Sequence, residues 1–255
     1  MELDKEQLIK KIKQKKELSG LTESLVSDAL NSYLKKHNIS LSSIKNSELK
    51  IIIKEIRAEL RNLTGRFQKK TKKRSFLLEK KEINALLKTH SSTAERLEFY
   101  PRLKEIISSL KINSILDIGC GLNPIALASS KVKYYALDIK EDDLSLVNKF
   151  FKENNINGEI IASDIRKLPE LPAADLCIIF KTLDIIEKKS HNIAFSLIEK
   201  LNFKYLLISF ATKTLSGKPM KLARRFWLEN FLNSRNYFYE TFFSSNEVFY
   251  LVRKI

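Results

Sequence analysis

The stretch SILDIGCGLNPIAL, residues 114–127, decides how the second half of the chain folds. A hydrophobic run ends in an aspartate, Gly119 and Gly121 follow, and apolar residues resume after Asn123-Pro124. Glycine allows a tight turn and a close approach of the backbone to a ligand, because it has no Cβ atom. Asn123 is predicted to cap the next helix, with Pro124 at its first position, where a missing N–H costs nothing. The stretch therefore predicts a strand, a ligand-binding turn and a helix.

Strand and helix patterns alternate after about residue 111, which is typical of a parallel α/β sheet. The last segment instead contains two aromatic strands around a Ser-Ser-Asn turn, which predicts an antiparallel hairpin over residues 237–254. A parallel sheet closed by such a hairpin resembles the Rossmann-like sheet of the class I S-adenosylmethionine-dependent methyltransferases. The predicted parallel strands are 112–118, 133–139, 158–164, 174–181 and 204–210.

Three aspartates stand at the ends of the first three predicted strands: Asp117, Asp138 and Asp164. Asp138 follows Gly121 by 17 residues. An acid at the end of the second strand can accept hydrogen bonds from both ribose hydroxyls of an adenosine. Asp164 would then lie near the adenine. One aspartate after a strand is usually only a turn residue, but three at successive strand ends beside a Gly-x-Gly turn favour a cofactor site.

The glycines are compatible with two adenosine cofactors. NAD needs a third glycine, which brings the helix close to the pyrophosphate, and this chain has Asn123 there. S-adenosyl-L-methionine has no pyrophosphate and needs room for its methionine portion instead. The sequence therefore favours S-adenosyl-L-methionine as the cofactor, with S-adenosyl-L-homocysteine as the product.

The part of the chain before the sheet shows helical patterns. We predict a helical, basic domain over residues 1–105 and a methyltransferase domain over residues 106–255. A capping box that includes Glu95 is expected at the start of the last helix before the sheet, and Pro101 is expected to interrupt that helix. The predicted helices are 6–16, 22–37 with a Thr22 cap, one from Ser47 to a stop at Gly65, 74–90 and 91–110.

The charge distribution indicates a polyanionic partner. The chain has a formal net charge of +16, and residues 1–80 carry 20 basic but only 10 acidic side chains. The run RFQKKTKKR, residues 66–74, contains six cations and no acid, and a second cluster follows the fifth predicted strand. A solvated linker is the alternative interpretation, but the position beside the catalytic domain favours contacts with RNA phosphates. The predicted RNA-binding residues are Arg66, Lys69, Lys70, Lys72, Lys73, Arg74, Lys213 and Lys218.

Other classes of protein are disfavoured by what the sequence contains. Its two cysteines and three histidines do not stand at metal-ligand spacing, so neither a disulfide framework nor a metal site is expected. The sequence also has no apolar run of membrane-spanning length and no signal-peptide core. We expect a cytoplasmic monomer with no metal and no membrane contact.

Five motifs, in this order, resemble the aminoglycoside-resistance 16S rRNA methyltransferases that modify N7 of guanine-1405 in the small ribosomal subunit. The resemblance covers roughly residues 85 to 255. It implies that the substrate is 16S rRNA within the small (30S) subunit, and that the modification could confer aminoglycoside resistance. The motifs are THSSTAERL, LDIGCGLNPIAL, IIFKTLDIIE, ISFATKTLSGK and NEVFYLVRKI.

The resemblance also implies roles for individual residues. Arg96, in the Glu-Arg-Leu motif, would pair with the carboxylate of the methyl donor, although a helix-surface salt bridge is the alternative for it. Phe180 and Lys181 would lie where the methyl group meets the incoming guanine. The residues implied to bind the cofactor are Arg96, Asp117, Gly119, Gly121, Asp138, Asp164, Ile165 and Lys181, with Asp138 at the ribose and Asp164 and Ile165 around the adenine.

The end of the fourth predicted strand offers a chemical check. It reads FKTL and lacks the Asp/Asn-Pro-Pro-aromatic motif of amine methyltransferases and the Pro-Cys nucleophile of cytosine C5 enzymes. Guanine N7 has a free lone pair and no proton, so its methylation needs alignment rather than a base. Asp184 and Glu187 could act as carboxylate bases, but we interpret them as helix-start charges.

Two other functions stay open from the sequence alone. One is a methyltransferase that acts on another RNA site or on a small molecule. The other is a non-catalytic RNA-binding assembly factor with the same fold. The strand-end acids and the glycines argue against loss of catalysis, and the basic N-terminal part argues against a small-molecule substrate.

Overall fold

A seven-stranded sheet forms the centre of the computed structural model, which describes residues 4–64, 68, 71–186, 190–214 and 217–254. The strand order is β3-β2-β1-β4-β5-β7-β6. All neighbours pair in parallel except those of β7, which runs antiparallel to both β5 and β6. The predicted parallel sheet with a C-terminal antiparallel hairpin is thereby confirmed. The strands are β1 (Ser114–Ile118), β2 (Lys133–Asp138), β3 (Gly158–Ala162), β4 (Ala174–Phe180), β5 (Phe203–Ala211), β6 (Phe238–Phe243) and β7 (Glu247–Arg253).

Successive side chains of the central strands enter two different hydrophobic clusters, because a strand alternates its side chains between the faces of a sheet. In β1, Ile115 belongs to one cluster and Leu116 to the other. In β7, Phe249 and Tyr250 divide in the same way. Both faces are therefore covered, which explains why these strands are near-continuous apolar runs.

Helices cover the two faces of the sheet. The first cluster includes side chains of α7, α8 and α9, and the second includes side chains of α11 and α12. The helices from residue 74 onward are α4 (Arg74–Glu79), α5 (Ile83–Leu87), α6 (Ser91–Arg96), α7 (Tyr100–Ser109), α8 (Asn123–Leu127), α9 (Glu141–Glu153), α10 (Leu183–Ile186), α11 (Asn192–Lys200) and α12 (Phe226–Ser234).

Three further helices form a bundle with its own core: α1 (Lys5–Lys13), α2 (Glu23–His37) and α3 (Asn46–Thr64). The predicted Thr22 cap is confirmed, because its hydroxyl accepts a hydrogen bond from the Leu25 amide at 3.4 Å. The helix stop predicted at Gly65 lies outside the described residues.

Two helix predictions between the bundle and the sheet were wrong. The helix predicted over residues 74–90 is divided into α4 and α5, because Lys81 adopts a left-handed conformation with φ of 56° and the Glu82 amide bonds back to Leu77. The capping box expected with Glu95 does not form, since the side chain of Glu95 is paired with Lys181. Pro101 does mark an interruption, as it lies in the first turn of α7 after a short 3-10 helix.

The bundle docks on the loop between β2 and α9. The Thr22 amide donates to the Ile139 carbonyl at 3.3 Å, and the Glu141 amide donates to the Gly20 carbonyl at 2.8 Å. Glycine suits this contact, because a Cβ at Gly20 would lie 2.1 Å from a carboxylate oxygen of Asp142 and would displace that side chain. The bundle therefore contacts the sheet domain directly after Asp138, the last residue of β2.

The hydrophobic clusters can be compared with the domain boundary predicted at residue 105. The boundary itself stays a prediction. Leu78, Leu87 and Leu103, which precede that residue, belong to the same cluster as Ile115 of β1. The core of the bundle instead draws its buried side chains from residues 8–60. In the part of the chain that the structure describes, no helix is long and apolar enough to cross a membrane.

Candidate active site

An open cleft lies at the carboxyl edge of the parallel strands and contains about 760 Å³ of empty space, its mouth included. In open α/β sheets, ligands bind in the crevice outside the carboxyl ends of the strands. Apolar side chains alternate along its wall with a few polar groups. The residues that line the cleft include Gly119, Leu137, Asp138, Asp164, Ile165, Phe180, Lys181, Ile185 and Ile186, together with His90 and Ser92.

The turn between β1 and α8 has the backbone that the glycines predict. Gly119 and Gly121 have φ of 67° and 50°, in the left-handed region that favours glycine. A Cβ at Gly119 would lie 2.5 Å from the Thr182 hydroxyl oxygen, so a side chain cannot be added there without displacing Thr182. Gly119 lines the cleft, whereas Gly121 packs against the ring of His90.

Asp138 joins the turn to the end of β2. Its Oδ2 accepts the Gly121 amide at 2.8 Å, and its Oδ1 accepts the Lys140 amide at 3.0 Å. Burial, followed by the nearby charge of Asp143, raises the pKa of Asp138 to about 6. A carboxylate has about four lone-pair sites, so Asp138 can hold the turn and also accept from a hydroxyl group in the cleft.

Asp164 is held in place by the side chain of Arg166, two residues further along the chain. The Arg166 guanidinium donates to both carboxylate oxygens of Asp164, with its Nε 3.0 Å from Oδ1 and a terminal nitrogen 2.7 Å from Oδ2. Burial raises the pKa of Asp164, but its hydrogen bonds and ion pair with Arg166 outweigh burial, so the net pKa is lowered. Asp164 and the buried Ile165 both line the cleft, and their predicted place around an adenine stays a prediction.

Asp117 lies beneath the turn. It is 1% exposed, and its Oδ2 accepts the Tyr134 hydroxyl at 2.8 Å and the Asn123 amide group at 3.2 Å. Burial raises the pKa of Asp117 to about 7. The contact with a cofactor predicted for Asp117 stays a prediction, and the hydrogen bonds that the structure shows support the turn.

The cap predicted at Asn123 was wrong. Asn123 is the first residue of α8, and its side chain makes no capping hydrogen bond. It instead joins buried groups, because its Oδ1 accepts from Arg96 at 3.1 Å and from the Tyr100 hydroxyl at 2.6 Å. Pro124 is the second residue of α8, one position later than predicted, and still lies in the first turn of the helix.

Four side chains, which we call the charged cluster, meet beside the cleft: Glu95, Arg96, Lys181 and Glu247. Glu247 is 0% exposed, and its Oε2 accepts from Arg96 at 2.9 Å and from the Ser209 hydroxyl at 2.7 Å. Burial raises the pKa of Glu247, but the charges of Arg96 and Lys181 outweigh burial and lower it overall. Glu95 and Glu247 were missed by sequence reasoning, although an acid that begins an apolar strand was a usable signal for Glu247.

Arg96 and Phe180 pack together within this site. The guanidinium carbon of Arg96 lies 4.4 Å from the centre of the Phe180 ring, and Phe249 meets that ring edge-on at 5.5 Å. Phe180 lines the cleft, while Arg96 is 1% exposed behind it. The structure excludes a surface salt bridge for Arg96, and its predicted contact with the donor carboxylate stays a prediction.

One of the RNA-binding predictions is contradicted. Arg74 is 6% exposed, and its guanidinium forms an ion pair with Asp143 at 2.5 Å and donates to Thr89. Burial lowers the pKa of Arg74, but the guanidinium still pairs with the carboxylate. A buried and paired arginine cannot contact RNA phosphates, so Arg74 instead joins the start of α4 to α9.

The other predicted RNA-binding residues that the structure describes are exposed: Lys72, Lys73, Lys213 and Lys218. Arg66, Lys69 and Lys70 lie outside the described residues, as does Glu187, one of the two carboxylates weighed as a base. The other carboxylate, Asp184, accepts a hydrogen bond from Arg225 at 2.9 Å.

Comparison with known proteins agrees with this geometry. Residues 77–250 match the model of the ribosomal RNA methyltransferase (FmrO) family. The chain belongs to this family. The match begins in α4 and extends into β7, so it includes the charged cluster and the cleft residues named above, whereas Leu63 and Gln68 of the cleft lining precede it.

Individual proteins of known activity share less than a third of their residues with this chain. A 16S rRNA (guanine(1405)-N(7))-methyltransferase from Serratia marcescens is 29% identical over 177 residues, which are 68% of this chain and 70% of that protein. A protein with the same activity from Frankia casuarinae is 23% identical, over 68% of this chain and 64% of its own length. Relatives of this kind are therefore matched over about two thirds of their length.

Solved structures show the same fold over the whole chain. The 16S rRNA methyltransferase RmtF, in complex with S-adenosyl-L-homocysteine, is 24% identical, with a TM-score of 0.84 and full coverage of both chains. The 16S rRNA methylase RmtB is 23% identical, with a TM-score of 0.80 and 99% coverage of both. At these identities the likeness concerns the fold, and it includes the N-terminal helices that the family model does not match.

His90 generates a prediction about stability and pH. Burial lowers its pKa from 6.5 to about 4, so the folded protein keeps His90 neutral where the unfolded chain protonates it. Between these two values the unfolded state binds more protons, so stability falls as the pH falls from about 6.5 toward 4. We expect His90 to account for a loss of about 2 kcal/mol in unfolding free energy between about pH 7.5 and 5.

Urea unfolding of His90→Asn at both pH values tests this expectation, because the variant should show a smaller acid-dependent loss than the wild type. His37→Asn, which changes an exposed histidine, is the matched control and should behave as the wild type. Equal losses for wild type and His90→Asn would refute the assignment of a neutral, buried His90.

Proposed function

We propose that the chain transfers a methyl group from S-adenosyl-L-methionine to N7 of guanine-1405 in the 16S rRNA of the small ribosomal subunit. The observation that carries this proposal is the cleft at the carboxyl edge of the sheet, which brings the glycine turn, Asp138, Asp164 and Lys181 together within the part of the chain that the FmrO family model matches. The named activity of the relatives supplies the acceptor.

The cleft fits the methyl donor. Leu137 and Ile165 offer apolar walls to an adenine, and Asp138 offers carboxylate oxygens to the two ribose hydroxyls. Gly119 lines the same cleft as Phe180 and Lys181, and the methionine portion is proposed to lie beside it. When bound, the donor supplies an electrophilic methyl group on a sulfonium centre.

The chemistry at N7 suits the groups around the cleft. The N7 lone pair forms the new bond to the methyl carbon, the carbon–sulfur bond breaks with its electron pair on sulfur, and no proton moves. The task of the protein is therefore to align the two reactants and exclude water. Phe180 and Lys181, at the end of β4, are the residues proposed to border the point of transfer.

The substrate side of the proposal rests on charge. Lys72 and Lys73 are exposed just before α4, and Lys213 and Lys218 are exposed after β5. Contacts of this kind bind the phosphate backbone without reading the sequence. N7 lies on the major-groove edge of guanine, which is inaccessible in a stacked RNA helix, so we infer that the guanine is flipped out of the stack.

Mapping the modified nucleotide tests the proposal directly. Small subunits incubated with the protein and labelled S-adenosyl-L-methionine should gain one methyl group each. N7-methylguanine is labile to borohydride and aniline, so strand scission followed by primer extension should give one new stop, at guanine-1405. Methylation of an adenine, of an exocyclic amine or of another guanine would contradict the proposed specificity, and labelling of a small molecule alone would contradict the substrate.

Asp138→Ala should weaken binding of S-adenosyl-L-methionine by about 1–3 kcal/mol, or about 5- to 150-fold in Kd, because the ribose hydroxyls lose their acceptor. Isothermal titration calorimetry measures this change. Asp138→Asn keeps one oxygen for the Gly121 amide and should lose less, and Glu153→Ala at the exposed end of α9 is the control. Unchanged affinity in a folded Asp138→Ala protein would refute the placement of the ribose.

Substituting Lys72 and Lys73 together with glutamine should lower the affinity for small subunits. The slope of log K against log salt concentration should become shallower by about 1 to 2, because up to two phosphate contacts are lost. The measurement is a binding titration at several salt concentrations. Lys35→Gln with Lys36→Gln, on exposed positions of α2, removes the same charge elsewhere and should leave the slope unchanged. A normal slope for the Lys72 and Lys73 variant would favour the solvated-linker interpretation.

A further inference from the structure

Lys181 lies between two carboxylates of the charged cluster. Its Nζ is 2.5 Å from Oε2 of Glu95 and 3.3 Å from Oε1 of Glu247. The lysine side chain is 9% exposed, so little of it is in contact with solvent. An ammonium in this setting depends on its ion-pair partners for its position.

The two carboxylates are not equivalent. Glu247 is buried, and its other oxygen is already shared by Arg96 and the Ser209 hydroxyl. Glu95 lies next to Arg96 at the end of α6, its side chain is 45% exposed, and its contact with Lys181 is the shorter of the two. Glu95 is therefore the partner that can fix the ammonium of Lys181 without disturbing the buried ion pair between Arg96 and Glu247.

The backbone of Lys181 fixes only the first part of its side chain. The residue has a left-handed φ of 55°, and its amide donates to the Ser209 carbonyl at 2.9 Å. A lysine stem is flexible beyond the Cα, and much rotamer entropy opposes a single position of the charge. The ion pair with Glu95 supplies the constraint that the backbone does not.

We propose that Glu95 is a positioning residue, which holds the Lys181 ammonium beside the acceptor base. This inference rests on the proposed function. Guanine presents two acceptors on one edge, O6 and N7. An ammonium fixed at O6 orients the base and leaves the N7 lone pair free for the methyl group.

The charges of the cluster support the same role. Arg96 and Lys181 are balanced by Glu95 and Glu247, so the cluster is neutral as a whole. During transfer a positive charge moves from sulfur to the guanine ring, and an uncompensated lysine there would repel it. Glu95 thus places the ammonium and also offsets its charge.

A double-mutant cycle tests this inference, with Glu95→Gln, Lys181→Met and the combination. Single-turnover methyl transfer to small subunits, at saturating protein and donor, is measured beside the Kd for S-adenosyl-L-homocysteine. We expect Glu95→Gln to slow transfer by about ten- to hundredfold, which is the scale of a misplaced reacting group, with the Kd changed less than about threefold. In the Lys181→Met background, Glu95→Gln should have no further effect.

Glu98→Gln, one turn along the chain on an exposed side chain, is the matched control and should transfer at the wild-type rate. Thermal unfolding confirms that each variant is folded, and Glu95→Asp, which keeps a shorter carboxylate, should recover part of the rate. A wild-type rate for Glu95→Gln, or an equal loss in the Lys181→Met background, would overturn the inference alone. A wild-type protein that methylates no small subunit would overturn the proposed function and this inference with it.

Discussion

The buried ion pair between Arg96 and Glu247 is the interaction on which the site depends. It joins residues 151 positions apart in the chain, one at the end of α6 and the other at the start of β7. Through Ser209 and Asn123 it also reaches β5 and the glycine turn. Loss of Glu247 would leave the guanidinium of Arg96 buried without its ion-pair partner, which is among the more costly changes a protein interior can suffer, at about 3–5 kcal/mol. The position of the C-terminal hairpin and the shape of the cleft are thus linked.

The sheet could be predicted from the sequence because its signals are local. Each strand is a short apolar run, the turn after β1 needs glycine, and the aromatic pattern of the hairpin differs from that of the parallel strands. The predicted ends agree with the structure within about two residues, and Thr22 caps α2 as expected. Asp138 and Asp164 reach the same cleft because the carboxyl ends of parallel strands share one edge.

The predictions that failed concern side chains whose surroundings come from distant parts of the chain. Arg74 belongs to a basic run, and only its contact with Asp143, 69 residues later, makes it a buried structural residue. Asn123 has the composition of a helix cap, but Arg96 and Tyr100 recruit its side chain into the interior. Glu247 is similar, since its position at the start of an apolar strand is visible in the sequence, but its burial between Arg96 and Lys181 depends on residues far away in the chain.

The docking of the α1–α3 bundle has a consequence for how binding events communicate. Gly20 and Thr22 bond to the backbone on either side of Lys140, just beyond the carboxylate that borders the cleft. A ligand that favours one conformation of this loop therefore favours the docked bundle, and a partner that holds the bundle in place favours that loop conformation by the same free energy. The coupling between the two surfaces is as large as the free energy with which a ligand prefers this loop conformation, and it needs no contact between the molecules that occupy them.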